Sequence, residues 1–262
     1  MSAVAWPGQE GLALALAERA DGAAGFPGIG ALPDRPIRLI LAPTRAIYDS
    51  LTRGRLPHWS EGAAFPDAGT VVLLAAASSG RLAVSLRHEL AHLALRWHVR
   101  HRLPLWFEEG YAAMAAREWD RLDALRLNWQ LARGVRMNLD DVDRALRGAR
   151  GDAATGYALA TTAVVLLDRW GGPRGLGPLL ANLPQAPTFD AAIRATYYLT
   201  ADDFEARWQA DVRSRYGWVA LVGALGTFWL ALAALLAALV ALRRRRDRAR
   251  REQLLDDVGI AP

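Results

Sequence analysis

His88 and His92 stand four residues apart, with Glu89 directly after the first, in the pattern His-Glu-x-x-His. That spacing serves a common purpose only if the segment is an α-helix. Four residues along a helix return to the same face, so both imidazoles can meet one ion. Glu89 is turned by about 100° from His88, which aims its carboxylate beside such an ion and at a water bound to it. The chain contains no cysteine, which excludes a disulfide framework and a thiolate site and leaves histidine and carboxylate as the candidate ligands. Zinc is the expected metal, because it accepts tetrahedral nitrogen and oxygen ligation and keeps a fourth position for water. It brings the pKa of that water to about 7, and Glu89 is placed to take the proton as general base.

A helical histidine pair alone is also an ordinary helix face, so a third ligand decides the matter. His98 has the spacing of the metzincin signature, but Leu95 occupies the place of the glycine that lets that helix break and turn back to the metal. With helix continuing through Leu95, His98 points away, and it and His101 are expected at surface positions near a helix end. The second candidate is Glu108 or Glu109 in "LPLWFEEGYAAM". Pro104 allows a sharp turn into a new helix, from which a carboxylate can face the two histidines.

The His-Glu-Leu-Ala-His helix followed by Trp-Phe-x-Glu-Gly-x-Ala resembles the gluzincin metallopeptidases, whose aminopeptidase-N members carry a Trp-Leu-Asn-Glu-Gly-Phe-Ala motif. The compact bacterial peptidase MA-like proteins are the most similar group, and the resemblance spans roughly residues 35–216. It implies that the glutamate directly before the glycine, Glu109, is the third zinc ligand, completing a set of His88, His92 and Glu109 with Glu89 catalytic. It further implies that a tyrosine at the start of a later helix steadies the tetrahedral intermediate. Tyr157 in "GYALATTAVVLLDRWGG" is the match, although Leu159 and Ala160 replace the Lys-Gly pair of that motif; Tyr111 is the alternative. In such folds an exposed edge strand pairs with the extended peptide substrate, a job for which Gly69–Ala76 is expected. No counterpart of the Gly-x-Met-x-Asn motif that reads a free amino terminus is present, which argues against an aminopeptidase.

From Trp218 to Leu242 the chain carries no charge, enough residues to cross a hydrocarbon core of about 30 Å as one helix. Arg243 to Arg251 come directly after. By the positive-inside rule the tail, 243–262, lies in the cytoplasm and residues 1–217 outside. The first residues, "MSAVAWPGQEGLALALAERADG", lack a basic start and are interrupted by Glu10, Glu18 and Asp21, so they are not a signal peptide. The expectation is a true start upstream of Met1, the alternative a cytoplasmic domain. The net charge of +5 belongs mostly to this tail, so it carries no nucleic-acid signal. All the basic side chains are arginine, a mark of genome composition rather than of function.

The fold class read from these patterns is α+β: a small sheet with an active-site helix, a mostly helical C-terminal part, and one transmembrane helix. Ile37–Ala42 and Thr70–Ala76 read as strands. Helices are expected over 9–24, 82–101, 105–118, 120–133, 155–170, 173–182, 188–197 and 201–215, with start signals at Thr188 and in the Thr200/Asp203 pair. The division expected is a helical segment 1–34, a catalytic domain 35–217, the span 218–242 and the basic tail. The function implied is membrane-anchored hydrolysis of peptide bonds in a peptide or protein substrate, the alternative a membrane-tethered, non-catalytic zinc-binding scaffold. Nothing in the sequence sets an oligomeric state.

Overall fold

The computed structural model describes residues 1–22, 25–54, 56–57, 59–76, 78–118, 121–132, 134, 138–148, 150–216, 229, 232–244 and 246. Four strands form one sheet: β1 (Ser2–Val4), β2 (Arg38–Ala42), β3 (Gly62–Phe65) and β4 (Thr70–Leu74), in the order β1-β2-β4-β3. β1, β2 and β4 run parallel; β3 is antiparallel to β4, with Gly62 opposite Leu73 and Phe65 opposite Thr70. Successive side chains of a strand point to opposite faces. Leu39, Leu41, Val71 and Leu73 accordingly enter the main core, while Ala42, Val72 and Leu74 form a second cluster with Tyr48.

Helix α1 (Glu10–Asp21) connects β1 to β2 and contributes Ala13 and Leu16 to the main core; α2 (Arg45–Leu51) supplies Tyr48 to the other face. Ser2–Val4 and α1, both within 1–34, therefore share one sheet and one core with the elements after residue 35. β4 is buried along its whole length, which is why "TVVLL" shows no polar alternation: a strand covered on both faces reads as an unbroken apolar run. This corrects one expectation. β4 is flanked by β2 and β3 and is not an edge; the edge strand beside the histidine helix is β3.

The histidine helix, α3, spans Ser79–His98 and ends where Val99 turns extended. Its Trp97 donates to the Pro66 carbonyl at 2.9 Å, fixing the helix along β3. α4 (Leu105–Ala116) starts after Pro104 as expected. Its second residue, Trp106, donates its backbone N–H to Asp143 at 2.7 Å, so a carboxylate from α6 (Leu139–Leu146) satisfies one of the orphan donors of the first turn. Trp106 stacks on Phe204 and Phe107 packs on Phe189, anchoring the start of α4 to the last two helices of the domain.

α5 (Arg121–Ala132), α7 (Arg150–Trp170), α8 (Gly177–Asn182), α9 (Phe189–Tyr197) and α10 (Ala201–Tyr216) complete the helical part. Thr188 caps α9 through the Ala191 N–H, and Thr200 and Asp203 exchange hydrogen bonds as a capping box. Among the described residues no helix is long and apolar enough to cross a membrane. Residues 217–228, 230 and 231, on which much of the expected span falls, lie outside the described residues; 232–244 are helical, with Leu235, Leu236 and Leu239 exposed.

Candidate metal centre

Two helices and one close crossing build the site. α3 presents His88 and His92 on the same face, with ring centroids 5.0 Å apart. α4 brings Glu109 opposite them: Glu109 Oε2 lies 3.5 Å from His88 Nε2 and 3.7 Å from His92 Nε2. The three ligand atoms all fall within 4.8 Å of one another. Ligands about 2.0–2.1 Å from a tetrahedral ion are about 3.3–3.4 Å apart, a separation that the two Glu109–histidine distances approach to within a few tenths of an ångström. Of the two glutamates left open by the spacing, Glu109 joins the histidines. Glu108 faces the neighbouring cleft, and burial raises its pKa.

The crossing of α4 over α7 sets where Glu109 stands. A Cβ on Gly110 would lie 2.6 Å from the Ala160 carbonyl carbon and 2.8 Å from Val164 Cγ2, so only glycine allows this approach. The same contact puts Tyr157, one turn before Ala160, beside Glu109, to which its hydroxyl hydrogen-bonds. Burial and these carboxylates hold the phenol far above its ordinary pKa, so it is a neutral donor. α7 begins at Arg150, which places Tyr157 two turns inside the helix rather than at its start. Tyr111, the alternative, is buried elsewhere and donates to the Pro27 carbonyl at 2.9 Å.

Glu89 leaves the ligand face, as the helical turn requires, and its carboxylate packs against β3. A Cβ on Gly62 would come within 3.0 Å of the Glu89 carboxyl carbon, so the strand passes the carboxylate at a glycine. The Gly62 carbonyl is held from the far side by the Tyr48 hydroxyl at 2.6 Å and Ser60 Oγ at 2.8 Å. Burial of Tyr48 pushes its own pKa up to about 12. Burial likewise raises Glu89, though His88 and His92 oppose the shift.

A residue that the sequence did not single out completes the arrangement. Glu118 Oε1 stands 2.9 Å from His88 Nδ1, off the direction of the ring N–H, so the contact is one of charge and leaves that nitrogen without an aligned acceptor. Glu118 arrives there because α4 ends at Arg117 in the left-handed region (φ 58), where the Glu118 N–H returns to the Ala113 carbonyl and the Arg117 N–H to that of Met114. This is a Schellman turn, usually made by glycine; with arginine in its place the usual sequence sign is missing. Arg87, next to His88, reciprocates by donating to the Ala115 carbonyl at 2.7 Å.

The electrostatics ask for a cation. Burial lowers His88, but Glu109, Glu118 and Glu89 outweigh it and hold the imidazole well above its ordinary value. His92 is raised against burial by Glu109. Burial acts to raise Glu109, yet the two imidazoles hold it well below the usual carboxylate range. Three carboxylates around two imidazoles therefore collect protons when no metal neutralises them. Two further histidines among the described residues stay out of this group: His98 Nε2 meets the Leu180 carbonyl at 2.8 Å in a half-buried position, and His101 lines the cleft.

The family model of the Peptidase MA superfamily matches residues 27–214. No curated protein and no solved structure gives a significant match. With most of its length covered, the chain belongs to the Peptidase MA superfamily.

Proposed function

We propose that this member of the Peptidase MA superfamily is a membrane-anchored, zinc-dependent metallopeptidase of the gluzincin type, hydrolysing peptide bonds. The observation that carries the reading is the convergence of His88, His92 and Glu109 on one point, with Glu89 beside it in an open cleft. A site that only braced the fold would have no use for a further, uncoordinated carboxylate facing the cavity.

Bound by His88, His92 and Glu109, zinc supplies an electrophile and brings the pKa of a water to about 7. The protein side chains do the rest. Glu89, whose pKa burial raises, takes the proton of the attacking water and returns it to the leaving amine. Tyr157 donates its phenol proton in a hydrogen bond to the developing oxyanion. Glu118, beside His88 Nδ1, adds negative charge behind the ligand imidazole. β3 offers its outer edge to an extended peptide.

The anchor in this reading is Trp218–Leu242. Its length, the absence of charge and the arginines directly after it support a span with the tail in the cytoplasm and the catalytic domain outside. A phosphatase reporter fused near residue 215, behind an export signal, is expected to be active. Activity only after Leu242 would reverse this topology.

Glu89→Gln tests the chemistry. The variant should keep its zinc and lose hydrolysis by about 100-fold or more. Normal hydrolysis with zinc in place would remove Glu89 from the mechanism, and a wild type that binds zinc yet cleaves nothing would favour the scaffold alternative.

A further inference from the structure

The metal triad does not lie at the bottom of a closed pit. On one flank a cavity of about 960 Å³ runs between β3 and the start of α4, past Phe65, Val99 and Leu103. On the other flank a second cavity of about 270 Å³ continues between Glu61, Arg81, Ser85 and Glu118. The two meet at the site: Trp59, Ser60, Gly62, His88, Glu89 and Tyr157 line both. Each mouth opens to solvent, with Arg102 and Arg147 exposed at one end and Arg81 and Glu118 at the other.

We infer that this is a through-going cleft and that the substrate is an extended polypeptide segment cut at an internal bond, not a chain end trimmed by one residue. The inference rests on the peptidase reading above and adds to it the form of the substrate. An enzyme that trims chain ends needs a wall beyond the terminal residue and a charged partner for the terminal amine or carboxylate, since a terminal charge taken from water without one is costly. Here both cavities open to solvent on either side of the triad. Within the stretch that lines both cavities, Glu89 is the sole charged side chain apart from the ligand histidine, and it is committed to the chemistry. Farther out, Asp67, Arg102 and Glu108 line the larger cavity and Glu61 and Arg81 the smaller, while Glu118 is turned onto His88, Arg147 lies against Asp143, and Arg96 is held by the carbonyls of Arg100 and His101.

The sheet supplies the matching surface. β3 pairs with β4 on one side and leaves its other edge to the cleft. It runs from Gly62, against Glu89, towards Pro66, against Trp97, tracking α3 along the larger cavity. At about 3.3 Å per residue, its four residues accompany a bound chain for about 13 Å to one side of the reacting bond. A substrate reaching only one residue in that direction would leave most of this edge unused.

The test uses the full chain loaded with zinc, acting on reduced, unfolded casein and on a ten-residue peptide cut from it, in free-ended and in acetylated, amidated form. Mass spectrometry of early time points should show internal fragments as first products. Blocking both peptide ends should change kcat/KM by less than about twofold, and shortening the peptide to a dipeptide should lower it by more than about tenfold. Release of single terminal residues, abolished by blocking the ends, would overturn the inference while leaving the peptidase reading intact. Absence of cleavage in casein and peptides alike, with zinc bound, would overturn the peptidase reading and this inference with it.

Discussion

The α-carbon of Gly110 lies against the Ala160 carbonyl, at a distance that leaves no room for a side chain on α4. The contact explains why the glutamate ligand is followed by glycine: the residue next to Glu109 is where α4 and α7 touch, and α7 carries Tyr157. Gly110→Ala should therefore act on both stability and site. Overpacking costs about 1–3 kcal/mol, read as a lower urea midpoint, and the forced separation should weaken zinc binding in the fraction that folds. An unchanged midpoint with unchanged zinc affinity would show that the crossing does not position Glu109.

Glu118 meets the site at His88 Nδ1. Its replacement by glutamine is expected to keep the fold and lower zinc affinity by about 10–100-fold, measured by competition with a chromophoric chelator. Glu118→Asp, which keeps the charge on a shorter stem, should fall between the two. Equal affinities for all three would leave the contact without a role.

Tyr157→Phe removes one hydroxyl and leaves the aromatic packing against Trp59 and His88 in place. The expected result is full zinc content, little change in KM and kcat lower by about 100-fold. A variant that loses zinc instead would make Tyr157 a support of Glu109 rather than a donor to the reacting oxygen.

The pH dependence of stability should change with metal. His88 and His92 have folded-state pKa values raised above the ordinary 6.5. The stability they contribute in the zinc-free chain is fully present below about pH 6.5 and is lost as pH rises through the folded values. Zinc requires the neutral imidazoles, so its contribution grows over the same window. Thermal unfolding between about pH 6 and pH 9 should show the metal-free Tm falling while the gap to the zinc-loaded Tm widens. Two parallel curves would contradict the assignment of these groups.

Much of the site was legible in the sequence because its parts are local. The histidine spacing is meaningful only on a helix, Pro104 marks the start of the next one, and the resemblance to the gluzincin motif, not the spacing, favours Glu109 over Glu108. Thr188 and the Thr200/Asp203 pair likewise announce their helices. What escaped depends on long-range placement or on weak local signals. β1 has three exposed residues, and β3 is glycine and alanine up to Phe65, so neither shows an apolar rhythm. α2 and α6 are short helices, although Thr44 and Asn138 cap them. The misplacement of the edge strand had an available remedy: "TVVLL" has the unbroken apolar character of a strand with neighbours on both sides. Glu118 had none, because its approach to His88 depends on a left-handed arginine whose sequence resembles any helix end.

Metal content of the full chain, wild type against Glu109→Ala, by elemental mass spectrometry, tests the central claim most directly. The account predicts close to one zinc per wild-type chain and a sharp loss in the variant. A well-folded wild type without zinc, or a variant that retains it, would contradict the assignment of His88, His92 and Glu109 as the metal site.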